Sequence, residues 1–77
     1  MKNVIVVATE LEAQEVQREH GGPDLYIVNV REGSRAVEGL RIHRFGATER
    51  AMQHPNAPAL IDAIRRRWMI TQATRQS

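Results

Sequence analysis

The chain has 77 residues, no cysteine and a formal net charge of +2 at pH 7. A chain this short is expected to form one small domain with a thin hydrophobic core, and the lack of cysteine excludes disulfides and thiolate metal sites. The uninterrupted apolar run that follows Asn3 is only five residues long, and no segment approaches the roughly 20 apolar residues of a membrane-spanning helix. We therefore predict a cytoplasmic protein with no membrane partner.

Charge is divided unevenly along the chain. Residues 1–40 hold four basic and seven acidic side chains, whereas residues 41–77 hold seven arginines and two acids. The small net charge therefore conceals a dipolar molecule. We expect acidic partners to bind its second half.

The first predicted strand is the run of five apolar residues at positions 4–8, four of them β-branched. Such a run is typical of a strand that is buried on both faces. Thr9 and Glu12 then form a Thr-x-x-Glu capping box, which predicts a helix over Glu10–His20. Gly21-Gly22-Pro23 is expected to end this helix, with a glycine as the left-handed closing residue and the proline preventing continuation. A strand that leads directly into a helix indicates a β-α-β unit.

Two further strands are predicted. Residues 25–30 are apolar on both faces, and the crossover that leads to them should be right-handed. In the connection that follows, Ser34 is a candidate cap for one helical turn. Residues 40–45 alternate, with Leu40 and Ile42 on one face and Arg41, His43 and Phe45 on the other, which predicts a half-exposed edge strand.

The second half of the chain ends in the clearest helical pattern. Thr48 begins a short helix that continues to Met52, and a longer helix is predicted over residues 57–70. Its apolar stripe consists of Leu60, Ile61, Ile64 and Trp68. Residues 71–77 are polar and are expected to form a frayed tail on a domain of residues 1–70.

These elements predict an α/β fold with a small, three-stranded, mainly parallel sheet of strand order 2-1-3, in a β-α-β-β-α arrangement with helices packed on it. The most apolar strand is central in this order. The alternative pairs the second and third strands as an antiparallel hairpin, because nine connecting residues are few for a parallel crossover.

The carboxyl ends of parallel strands meet at one edge of a sheet, where ligands bind in α/β folds. The residues that follow the three strands could form a polar pocket there: Thr9, Glu10, Arg31, Ser34, Thr48 and Glu49. The favoured alternative is that these residues cap helices, because Ser, Thr and Glu are common in the first turn of a helix.

No motif predicts catalysis or a bound cofactor. Neither the Gly-x-x-x-x-Gly-Lys-Ser/Thr nor the Gly-x-Gly-x-x-Gly phosphate-binding pattern is present. His20, His43 and His54 are scattered over separate elements and lack metal-ligand spacing. We therefore predict no metal, no cofactor, no catalytic residue and no enzymatic activity.

Arginines are the candidate binding residues. Three of them precede Trp68 on the last helix, and two lie on the predicted edge strand: Arg65, Arg66, Arg67, Arg41 and Arg44. They could anchor a protein partner or grip nucleic-acid phosphates while the indole stacks on a base. Against the second interpretation, the helical spacing places Trp68 in the core, and arginines near a helix C-terminus stabilise its dipole without a partner.

Residues 4–9, 25–30 and 39–52 together resemble the middle of the motor domain of phage terminases and helicases. In that family a later strand ends in Asp-Glu-Ala. The resemblance places Glu49 at the catalytic glutamate, but Thr48 stands where the metal-binding aspartate belongs and the nucleotide-binding loop is missing. It therefore implies a small sheet of that order, encoded by a phage and used for binding rather than for ATP hydrolysis.

The functional hypothesis is a small non-enzymatic protein-binding protein, of the accessory or inhibitor kind that bacteriophages encode at this length. The alternative is a nucleic-acid-binding module that uses the same arginines. We also expect a homo-oligomer, because Met69, Ile70 and the edge strand of residues 40–45 could complete the core of a dimer.

Overall fold

The computed structural model describes residues 1–76, with side chains to Thr74. The chain forms a three-stranded sheet of order β2-β1-β3 in which both strand pairs are parallel. The predicted fold class and strand order are thus confirmed, and the antiparallel hairpin is wrong. The elements are, in chain order, β1 (Lys2–Val7), α1 (Glu10–His20), β2 (Leu25–Asn29), a 3₁₀ turn (Ser34–Val37), β3 (Ile42–Ala47), α2 (Glu49–Met52) and α3 (Ala57–Gln76).

The central strand β1 is buried from both sides, as its apolar run predicts. Val4 and Val6 belong to the core cluster that contains Leu60 and Ile64 of α3. Val7 is also buried but alternates to the other face, on which α1 packs. The sheet is therefore covered by α3 on one face and by α1 on the other.

The two ends of α1 are set by different physical causes. At its start, the hydroxyl of Thr9 accepts the Glu12 amide at 3.1 Å, as the capping box predicts. At its end, Gly21 has φ −55°, so the predicted left-handed closure is wrong. Glycine fits there because a Cβ would collide with the backbone carbonyl of Gln17. Within the described chain, Gly39 is the glycine with positive φ, at 78°.

A bulge at the start of β3 changes which side chains face the core. Lys2 of β1 is level with Ile42, whereas the next residue, Asn3, is level with Arg44, so His43 is an extra residue. Ile42 and Phe45 consequently both pack towards the core cluster. The predicted alternation, which put these two residues on opposite faces, is wrong because it assumed an unbroken strand.

The last helix is longer than predicted and continues to Gln76 instead of ending near Ile70. Thr71, expected in a frayed tail, is only 5% exposed. Its hydroxyl accepts the Ile42 amide at 3.2 Å and donates to the Arg67 carbonyl at 2.9 Å. The sheet edge therefore stabilises these final turns. The last residue of the predicted tail, Ser77, lies outside the described residues.

Candidate functional site

At the carboxyl edge of the sheet, a cluster of hydrogen bonds forms around the Glu12 carboxylate. One carboxylate oxygen, Oε1, accepts the Ala8 amide at 2.8 Å and the Thr48 hydroxyl at 3.1 Å. The same Thr48 hydroxyl accepts the Ala51 amide at 3.2 Å and so caps α2. The interpretation of Thr9 and Thr48 as helix caps is therefore confirmed.

The other four residues of the predicted polar pocket take no part in the hydrogen bonds of this cluster. Glu10 lines a hollow between α1 and Ile27 of β2. Arg31 and Glu49 are exposed at the start of the segments that follow β2 and β3. Ser34 lies in the 3₁₀ turn, whose N-cap is Gly33 with no side-chain bond, so the predicted Ser34 cap is wrong. Of the six residues of the predicted polar pocket, only Thr9 and Thr48 thus belong to the cluster around Glu12.

A groove between the 3₁₀ turn and α3 contains several of the predicted binding residues. We call it the upper groove; its volume is about 620 Å³. Val37, Ala59 and Ala63 give it an apolar component. The polar and charged residues that line it are Ser34, Arg35, Glu38, Asp62, Arg66 and Arg67.

A second groove, which we call the lower groove, lies where β3 begins and α3 passes it. Its volume is about 380 Å³, and it is lined by Met1, Arg41, Arg67, Ile70, Thr71 and Thr74. Arg67 and Ile70 line both grooves. The two grooves are therefore adjacent parts of one surface on α3.

Arg67 is held in place between the grooves. Its Nε and Nη2 both donate to the Leu40 carbonyl, each at 3.3 Å, and its side chain is half-buried. A guanidinium fixed in this way has lost most of its side-chain freedom before any partner binds. The remaining N–H groups of Arg67 are the fixed donors of this surface.

The five predicted arginines do not form one patch. Arg41, Arg66 and Arg67 line the two grooves. Arg65 instead lines a separate hollow beside Met52 and Pro58, and Arg44 pairs in register with Asn3 on the sheet face away from α3.

Arg35 completes the upper groove but was not predicted as a site residue. Its sequence context, a polar loop, carries no signal of binding. Its position depends on the packing of the 3₁₀ turn against α3, which is a long-range contact. Arg66, by contrast, forms an i,i+4 ion pair with Asp62 at 3.0 Å.

Trp68 packs against the core cluster, on the side its helical spacing predicts, but it is half-buried rather than buried. Its ring packs edge-on against Phe45, with 6.0 Å between the ring centroids. Its Nε1 donates to the His43 carbonyl at 3.2 Å. An indole fixed by both contacts has little freedom to stack on a nucleic-acid base.

Among residues 1–76, no three His, Asp or Glu side chains are grouped to hold a metal ion. No helix in this part of the chain has the length and hydrophobicity needed to cross a bilayer.

Comparison of the chain with protein-family models, with curated proteins and with solved structures finds no match. The resemblance to phage terminases and helicases stays a prediction.

Proposed function

We propose that this chain is a non-enzymatic, cytoplasmic protein-binding protein, an accessory or inhibitor encoded by a phage, and that it binds its partner through the upper and lower grooves. The observation that carries the proposal is Arg67, which is fixed by two bonds to the Leu40 carbonyl and lines both grooves.

The composition of this surface suits a protein partner. Arginine is over-represented among the residues that dominate binding energy, especially where apolar surface surrounds it. Here Ile70, which is 52% exposed, lies beside Arg67 and lines both grooves. A partner would gain apolar contact with Ile70 and a charged hydrogen bond with Arg67 at one place.

The charges of the grooves define the chemistry of that partner. Arg35, Arg41 and Arg67 bring three positive charges, whereas the Arg66 charge is paired with Asp62. Glu38 is the remaining acid in the upper groove. The excess of positive charge favours a partner segment that carries carboxylates next to apolar side chains.

Nucleic-acid binding is the second candidate, since Arg41, Arg66 and Arg67 lie on one surface. Two features count against it. The Trp68 ring packs on Phe45 and its Nε1 donates to the His43 carbonyl, and Glu38 would repel phosphates inside the upper groove.

Titration with nonspecific duplex DNA at low and at moderate salt separates the two candidates. Protein binding through the grooves predicts weak DNA binding that an Arg41→Glu/Arg66→Glu variant and an Arg44→Glu/Arg65→Glu variant lower equally, because only net charge matters. Tight binding with a steep salt dependence, lost selectively in the first variant, would overturn the proposal in favour of nucleic acid.

A further inference from the structure

The two outer edges of the sheet differ in how their backbone groups are satisfied. Along β3, side chains of α3 bond to backbone atoms of the edge: Thr71 accepts the Ile42 amide and Trp68 donates to the His43 carbonyl. The bulge at His43 adds a second obstacle to pairing. Edge strands are commonly protected from pairing by such devices. The beginning of β3 is therefore a poor place for another strand to pair.

The other edge strand, β2, has neither device. Its sequence is Leu-Tyr-Ile-Val-Asn, with no charge, proline or bulge. In the described part of the chain, no helix side chain bonds to its backbone. An uncharged, regular and unprotected edge is the kind that accepts a further strand.

The pairing with β1 determines which groups of β2 point outward. Asn3 donates to the Asp24 carbonyl and Val30 donates to the Val7 carbonyl. Because alternate residues of a strand point their N–H and C=O to opposite sides, residues 26 and 28 also bond to β1. Leu25, Ile27 and Asn29 therefore direct their backbone groups to the outer edge.

Turns at the two ends already engage part of this edge. The Leu25 amide donates to the Gly22 carbonyl, and the Asn29 carbonyl accepts from Glu32. Within the described residues, four groups then remain without a partner: the carbonyl of Leu25, the amide and carbonyl of Ile27, and the amide of Asn29.

These four groups match a second copy of the same strand. In an antiparallel pair centred on Ile27, the two Ile27 residues exchange both N–H···O bonds. Each Asn29 amide then meets the Leu25 carbonyl of the other copy. All four groups on each copy are satisfied, and the pair has the self-complementary two-fold symmetry of most homodimers.

The helix beside this edge is complementary in charge under the same symmetry. α1 has no fully buried residue, and five of its residues, Glu10, Ala13, Gln14, Gln17 and Arg18, line a hollow of about 410 Å³ with Ile27. A two-fold axis at Ile27 makes the two α1 helices antiparallel and brings Glu10 opposite Arg18 of the other copy. α1 contacts both β1 and β2, and neighbouring strands lie about 4.8 Å apart, so each helix would be centred about 5 Å from the axis. The resulting separation of about 10 Å is that of packed helices.

We infer that two copies of this chain associate through β2, in antiparallel register about Ile27, to form a continuous six-stranded sheet with the two α1 helices side by side. This surface is distinct from Met69, Ile70 and β3, through which the sequence suggested a dimer. None of the β2 or α1 residues of this surface lines either groove, so the inference is independent of the proposed function.

The first test measures mass by sedimentation over a range of concentrations. The wild-type chain should be a dimer, and Ile27→Pro should remain monomeric, because proline removes an outward amide and leaves the ladder to β1 intact. A Met69→Ser/Ile70→Ser variant is the control and should dimerise like wild type. A wild-type chain that stays monomeric at its highest soluble concentration would overturn the inference.

A charge-swap cycle tests the register without altering the strand. Arg18→Glu and Glu10→Arg should each raise the dissociation constant about tenfold, because each puts like charges opposite one another. The double variant should restore the wild-type dissociation constant. If each substitution instead acted only within its own α1 helix, the two losses would add. This cycle decides the question if Ile27→Pro fails to fold. Additive losses, or no loss in any variant, would refute pairing through β2.

Discussion

Thr48 donates its hydroxyl hydrogen to the carboxylate of Glu12 at 3.1 Å, which joins two segments that are 36 positions apart in sequence. The same carboxylate oxygen accepts the Ala8 amide. One side chain therefore connects the end of β1, the first turn of α1 and the start of α2. The edge of the sheet at which α/β folds often bind ligands is here a structural junction.

Removal of this junction should destabilise the fold. Glu12→Ala leaves the Ala8 amide and the Thr48 hydroxyl without their acceptor, so we expect a loss of about 1–3 kcal/mol in the free energy of unfolding. Glu15→Ala, an exposed substitution on the same helix, should change it by less than about 0.5 kcal/mol. Urea denaturation measures both. Equal values for the two variants would contradict the role assigned to Glu12.

The protection of the β3 edge gives a second prediction. Thr71→Val keeps the shape of the side chain but leaves the buried Ile42 amide without an acceptor, which should destabilise the protein by about 1–3 kcal/mol. Thr71→Ser keeps the hydroxyl and should lose clearly less stability. Thermal unfolding followed by circular dichroism separates the variants. A serine variant as unstable as the valine variant would show that the hydroxyl is unimportant.

Two glycines should respond to alanine with opposite signs. Gly39 has φ 78° and open space around it, so Gly39→Ala should lose about 1–2 kcal/mol of stability from backbone strain alone. Gly46 lies in β3, lacks a positive φ and also has open space. Gly46→Ala should therefore gain about 0.5–1 kcal/mol. Denaturant titration of both variants tests this, and a shared sign would contradict the backbone argument.

The elements that the sequence predicts correctly are those fixed by local interactions. The β-branched run that contains Val4 and Val6 can be buried on both faces only as a central strand of the sheet. Thr9 and Glu12 lie within four residues of each other, so a short local segment determines where α1 begins. The same holds for Thr48 and the short helix that follows it.

The features that the sequence does not reveal depend on contacts between distant segments. The bulge at His43 is visible only once β3 is aligned with β1. The final turns of α3 are polar and have no helical signal of their own, but the hydroxyl of the buried Thr71 accepts the amide of Ile42, which lies 29 positions earlier. Arg35 joins the upper groove for the same reason, since the 3₁₀ turn packs on α3.

The most direct measurement is quantitative capture from nuclease-treated host lysate with three immobilised forms of the chain. These are the wild type, Arg41→Glu/Arg66→Glu in the grooves, and Arg44→Glu/Arg65→Glu outside them; the two variants change the charge equally, and all four arginines are exposed. We predict a protein that the wild type and the outer variant retain equally and the groove variant retains at least about tenfold less. Equal retention by all three forms, or a protein that is captured from untreated lysate and not from nuclease-treated lysate, would contradict binding through the grooves.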